Sequence, residues 1–334
     1  MNILRKILAA CILMGGISMA ASVGAAENTL PDLGGASRAT IAQESLNKDA
    51  LCTKCHDEGE TKPILSIYQT KHGVKGDSRT PTCQSCHGDS EKHLKGDPNV
   101  KGRAAPDIVF KKGTFAATDD KERAAACLAC HKGGNRTHWD GGQHQANGVA
   151  CNDCHVAHQP ADKLLNRKTQ TEICFACHKD QRSDSKKISH HPIGEGKVIC
   201  SDCHNPHGSA GPKLLKKNTV TETCYTCHAE KRGPFLWEHQ PATEDCTNCH
   251  SPHGSNITPL LKSRAPFLCQ ECHSGPHNSQ SPFAGVVAGI QGGLTTAAST
   301  GIVNPSSSAA GRACMNCHVM VHGSNSPAGA FLHR

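Results

Sequence analysis

Ten times between Cys52 and His318 two cysteines stand three residues apart with a histidine directly after the second. The thiols are Cys52 and Cys55, Cys83 and Cys86, Cys127 and Cys130, Cys151 and Cys154, and Cys174 and Cys177. They continue with Cys200 and Cys203, Cys224 and Cys227, Cys246 and Cys249, Cys269 and Cys272, and Cys314 and Cys317. The histidines that close the motifs are His56, His87, His131, His155, His178, His204, His228, His250, His273 and His318. C-x-x-C-H is the attachment signature of c-type haem: each thiol adds to one vinyl group of a porphyrin, and the histidine binds the iron from one face. A disulfide framework has no use for a histidine after every second cysteine. Structural zinc sites do not need the fifth residue, and a C-x-x-C redox motif stands once in a chain. Ten covalently attached c-type haems are therefore expected, and they consume every cysteine except Cys11.

A second axial ligand decides what such an iron does: an open position binds small molecules, a closed one only passes electrons. Of the five methionines, only Met315 and Met320 lie outside the first twenty residues. Histidine is abundant instead, with thirteen of 23 outside the motifs. His158, His207 and His253 each follow a motif histidine by three residues. That is too close in sequence to reach the far face of the same haem, so each should serve a neighbour. His72, His93, His144, His191, His239, His277 and His322 complete a set of ten expected distal ligands. Of the adjacent His190 and His191 one is spare, and His138, His190 and His333 are left to the surface.

Elements that could place these groups are few. Aromatic residues are 3% of the chain, and ten haems leave each with about thirty residues of mature protein. So little chain rarely folds alone without metals or cross-links. The expected fold is therefore mostly irregular, with short helices at the motifs around a linear array of ten haems and little or no sheet. A two-site unit repeats from Cys151, Cys200 and Cys246, each copy with a central Leu-Leu; such a period marks a stacked array. Residues 94–126 read as a charged surface excursion. Residues 278–311 carry no charged side chain and read as a flexible loop.

The amino end carries Arg5 and Lys6, then an apolar run, then Val23-Gly24-Ala25, the anatomy of an export signal spanning residues 1–25. Export suits the haems, which bacteria attach outside the cytoplasm. The formal charge of +7 falls to +5 without Arg5 and Lys6. Twenty propionates subtract twenty and ten ferric centres return ten, leaving −5. The basic sequence is thus no warrant for nucleic-acid binding, and no Lys/Arg cluster with interleaved aromatics supports it.

The C-H-x-P-H-G-S repeats, "CHAEKRGPFLWEH" and the ending "GRACMNCHVMVHGSNSP" resemble the periplasmic-side decahaem cytochromes of outer-membrane porin–cytochrome conduits, the MtrA/DmsE/PioA type. The resemblance spans the mature chain and is strongest from Cys200 onward. It implies bis-histidine ligation throughout by the ten distal histidines named above. It implies two pentahaem modules, 26–190 and 191–334, and a periplasmic chain seated in an outer-membrane β-barrel porin. Periplasmic electron-carrier cytochromes and an outer-surface multihaem cytochrome are the implied partners. The implied function is electron transfer across the outer membrane for extracellular iron reduction or Fe(II) oxidation, without catalysis by the chain itself. A soluble periplasmic shuttle and a multihaem reductase with an open haem are the alternatives; all ten motifs keep their histidine, which disfavours the reductase.

Overall fold

Each motif folds as a single helical turn. At nine motifs the histidine N–H donates to the carbonyl of the first cysteine, from His131 to Cys127 at 2.9 Å up to His56 to Cys52 at 3.1 Å. Cys83–His87 is itself a five-residue helix. Residues i, i+3 and i+4 of a helix share one face, so this turn presents both thiols and the imidazole on the same side. The spacing C-x-x-C-H is a helical spacing put to use.

The structure, a computed structural model, describes residues 37–60, 63–75, 79–99, 101–273, 314–327 and 329–333. The expected export signal, Cys11, His277 and residues 278–311 lie outside the described residues.

Odd and even motifs, counted along the chain as sites 1 to 10, sit at opposite ends of their helices. At odd sites the first cysteine comes late, in Arg38–Thr53, Asp120–Leu128, Gln170–Phe175, Val220–Cys224 and Phe267–Gln270. At even sites it opens the helix, in Cys83–His87, Cys151–Cys154 and Cys200–Cys203, and the 3-10 turns Cys246–Asn248 and Cys314–Asn316. Capping residues set these starts. Ser37, Asp119 and Thr219 accept backbone N–H groups ahead of odd-site helices. At even sites Asp153 accepts from the Ala150 N–H at 2.8 Å and Asp202 from that of Ile199 at 3.0 Å. Such caps satisfy N–H groups that the first turn leaves unpaired.

Among the described residues there is no strand, only four isolated bridges, and the longest helix is the sixteen-residue Arg38–Thr53. The fold class is the expected one: short helices, mostly irregular chain, no sheet. None of the described helices is long and apolar enough to cross a membrane. Buried apolar residues are as sparse as the composition implies: Ala104, Ala124, Trp139, Ala150, Phe175, Ile193 and Ile199. Close backbone packing compensates in part. A Cβ at Gly208 would lie 1.9 Å from the His138 carbonyl oxygen, and one at Gly254 would lie 1.8 Å from that of Asp184. This accounts for the glycine in the H-G-S of the second and third repeats.

Candidate haem centres

The histidines meet in facing pairs. His56 and His93 have ring centroids 6.1 Å apart, His72 and His131 6.0 Å, His87 and His158 6.3 Å, and His144 and His178 6.1 Å. His155 and His207 stand 6.2 Å apart, His191 and His228 6.2 Å, and His204 and His253 6.1 Å. His239 and His273 are at 6.0 Å, and His250 and His322 at 6.2 Å. Each pair joins one motif histidine to one from outside the motifs. A metal bound to an imidazole Nε2 at about 2 Å lies roughly 3 Å from the ring centre, so two imidazoles on opposite faces of one metal stand about 6 Å apart. The nine pairs match that spacing, whereas stacked rings without a metal between them can approach to about 4.5 Å.

Proton placement agrees. The Nδ1–H of a motif or partner histidine donates to a backbone carbonyl at His87 (Ile108), His93 (Ala104), His144 (Pro206), His158 (Ile64) and His191 (Pro252). The same holds at His204 (Lys213), His239 (Val321), His250 (Pro259) and His318 (Phe331). An acceptor at Nδ1 holds the proton there and leaves the Nε2 lone pair free for a metal. Burial pushes the His87, His204, His207, His253 and His322 imidazoles below their ordinary range, toward the neutral form a metal requires. His207 Nδ1 is one of two buried polar side-chain atoms without a partner among the described residues, the other being Arg136 Nε.

All twenty motif cysteines are free of disulfides, and they line one continuous cavity of about 5340 Å³ together with all eighteen paired histidines. That is several times the volume of an ordinary small-molecule pocket, and its walls are mostly apolar apart from these groups. Among the described residues no three His, Cys, Asp or Glu side chains converge as a bare metal ion would need. Paired thiols, opposed neutral imidazoles and an apolar cleft together fit covalently bound haem.

The thiols also join the sites to one another. First cysteines touch within the pairs Cys52–Cys83, Cys127–Cys151, Cys174–Cys200, Cys224–Cys246 and Cys269–Cys314. Second cysteines lie within electrostatic reach across the intervening steps, Cys86–Cys130, Cys154–Cys177, Cys203–Cys227 and Cys249–Cys272. The late-helix cysteine of each odd site thus meets the helix-opening cysteine of the next even site. The ten attachment points form one row in sequence order.

Three placements differ from the sequence reading. His333, left to the surface, packs on His318 with centroids 4.4 Å apart; its only forewarning was its place near the last motif. Residues 94–126 are more than an excursion: Ala104 and Ile108 accept from His93 and His87, and Phe110 and Phe115 pack edge-on to those rings at 5.2 and 6.5 Å. The short-range histidines reach further than one neighbour, since His158, His207 and His253 each pair with the site two motifs back. Of the adjacent pair, His191 faces His228, while His190 donates from Nδ1 to the Lys187 carbonyl and approaches Glu195 at 3.6 Å.

A row of thiol-paired, histidine-lined sites defines a multihaem c-type cytochrome. Comparison agrees: the doubled C-x-x-C-H motif family matches at residues 144–183, 190–233 and 239–282. The chain is 40% identical over 288 residues to the multihaem cytochrome MtrA of Shewanella baltica, covering 85% of this chain and 80% of that one. It is 29% identical over 192 residues to the cytochrome c-type protein NrfB of Escherichia coli, covering 55% and 92%. A match to NrfB of Haemophilus influenzae reaches 27% over 150 residues, covering 39% and 65%. The chain belongs to the MtrA family of multihaem cytochromes, and its activity is electron transfer.

Proposed function

We propose that the protein carries ten bis-histidine haems and relays electrons along them in sequence order across the outer membrane. Bound haem supplies a one-electron iron couple at each site, and a row of closely spaced couples divides a long crossing into short steps. The chain's residues do the rest. The motif turns fix each thiol pair, the thiol contacts set adjacent sites side by side, and the opposed imidazoles close both faces against other ligands. The observation that carries this reading is the nine histidine pairs at 6.0–6.3 Å strung along one row of neighbouring thiols, alternately in contact and within electrostatic reach. His277 is the proposed tenth distal ligand, at His318.

In this reading the first 25 residues are removed on export to the periplasm. The mature chain sits in an outer-membrane β-barrel, between periplasmic electron-carrier cytochromes and a multihaem cytochrome at the cell surface. The outer reaction is iron reduction or Fe(II) oxidation. The hydrocarbon core is about 30 Å thick and excludes charged metal. A closed barrel satisfies its own backbone in lipid, so it can sheathe a chain whose surface is polar. Two five-site modules, 26–190 and 191–334, meet where His155 faces His207 and Cys174 touches Cys200, which joins them into one row. The test is reconstitution with the barrel in liposomes that hold a trapped redox dye. External Fe(III) should discharge the reduced dye only when both proteins are present, and discharge without the cytochrome would sink the proposal.

The shuttle reading keeps one support. Alignment over 192 residues spans 92% of NrfB, so a run of these units makes a whole protein by itself. Recovery of the cytochrome from washed outer membranes with a barrel separates the conduit from the shuttle. The reductase reading requires an open haem, so a holo-protein that takes up no carbon monoxide excludes it.

A further inference from the structure

The repeat that begins at Cys151 is not a perfect copy of its successors. From the first cysteine to the Leu-Leu pair it is one residue shorter, reaching Leu164 and Leu165 where the others reach Leu214 and Leu215, and Leu260 and Leu261. In the second and third copies that segment doubles back on the motif. Asn205 N–H donates to Leu214 and Lys216 N–H to Cys203; Ser251 N–H donates to Leu260 and Lys262 N–H to Cys249. This bridge brings the Lys213 and Pro259 carbonyls to His204 and His250 at 3.0 and 2.9 Å. Among the described residues the first copy forms no such bridge. There the Asp162 carboxylate takes the Nδ1–H of His155 at 2.5 Å with one oxygen and the Leu164 N–H at 2.9 Å with the other.

We propose that Asp162 sets the reduction potential of site 4, holding it below the value that the carbonyl-bonded sites 6 and 8 take from the same repeat. This inference rests on site 4 being a bis-histidine haem between His155 and His207. A carboxylate on the far nitrogen makes an imidazole more basic, and a more basic ligand favours ferric over ferrous iron; hydrogen bonding beyond the ligand is one of the recognised levers on potential. Asp162 is a positioning residue: it touches His155, and acts through it. It is well held, with 17% of its side chain exposed and both oxygens bonded. Glu60 makes a similar contact to His56 at 3.0 Å, but there the carboxylate side chain is 35% exposed, about twice as much as that of Asp162, so water weakens the effect. Arg136 lies on the other side, near His207, and is unchanged by the substitutions below.

The test is an optical redox titration of holo Asp162→Asn, with electron paramagnetic resonance to read ligation. Asparagine keeps the shape and an acceptor oxygen but removes the charge. Low-spin spectra should persist at every centre, while about one tenth of the titration amplitude moves toward easier reduction. The expected shift is tenfold or more in the equilibrium, about 59 mV for one electron. Asp162→Glu should restore the wild-type curve, and Glu60→Gln should shift a different tenth by less. If Asp162→Asn folds poorly, one glycine inserted between Asp162 and Lys163 restores the length of the later copies and should raise the same component. Superimposable titrations with intact low-spin spectra overturn the proposal. So does loss of the low-spin signal in Asp162→Asn, which would make the carboxylate a mere orienter. A high-spin wild-type protein would instead sink the ligand reading beneath it.

Discussion

The interior of the row and its two ends obtain their second histidine by different rules. Sites 2, 4, 6 and 8 take theirs from beyond the site two motifs later, through His158, His207, His253 and His322. Sites 3, 5, 7 and 9 take theirs from the stretch after the site two motifs earlier, through His72, His144, His191 and His239. Every interior site is thus laced by chain that belongs to another unit. Neither rule has a donor for the ends. Site 1 draws on His93, just after site 2, and His318 meets His333 in a pair tighter than the interior ones by more than 1.5 Å. In the proposed ligation the interior pairs double as cross-links, while the pair of site 1 is local.

The sharpest test removes what both regions share. Chain produced without haem attachment should lack cooperative tertiary structure at ends and interior alike, because the seven buried apolar residues among those described cannot sustain a core. Circular dichroism and a thermal melt check this, and a sigmoidal melt would refute it. Next in size, His207→Ala should open one centre to carbon monoxide and cut the tie between sites 4 and 6. Loss of a metal ligand that is also a cross-link should cost about 4 kcal/mol, seen in chemical denaturation of the holo-protein.

At the amino end, Asp49 is 2% exposed and accepts from the Cys83 N–H at 2.9 Å and the Tyr68 hydroxyl at 3.0 Å, with the Lys75 ammonium at 2.9 Å. Asp49→Ala strands that lysine and should cost about 3 kcal/mol, read as faster amide exchange around Cys83. Burial pushes the Asp49 carboxyl up, but Lys75 and the Cys83 N–H outweigh it and hold the group below the usual carboxylate range. Because the folded value is the lower one, its contribution is complete above about pH 4 and fades as pH falls through that depressed value. Wild-type protein should therefore loosen at this end in acid, and Asp49→Ala should lack that limb. The smallest effect belongs to the carboxyl end. His333→Ala should leave low-spin spectra and stability unchanged, since its 4.4 Å approach to His318 leaves too little room for a metal between the rings. His277→Ala should open one centre; the reverse pattern would make His333 the ligand.

The attachment residues were legible in the sequence because their spacing is a single helical turn, complete within five residues. Lack of sheet was legible too, since there is no apolar alternation to build one and no chain to spare. The lacing was not, because it joins residues such as His87 and His158 that stand far apart in sequence, and only the fold brings their rings together. The contribution of Ile108 and Ala104 was hidden for another reason: a backbone carbonyl leaves no mark on residue identity. Asp162 shows the same limit from the other side. As one acid among many it carried no signal until the missing residue of its loop placed it against His155.

Lacing over two motifs has a consequence for biosynthesis. In the proposed export the chain leaves the cytoplasm amino end first, so an odd site such as His178 would emerge after its partner His144 and could close as soon as its thiols were joined. An even site such as His155 would wait 52 residues for His207 and, on the proposed ligation, stand one-sided in the meantime. Maturation then alternates between finished and pending stations, and whatever guards the nascent protein is needed chiefly at the pending ones.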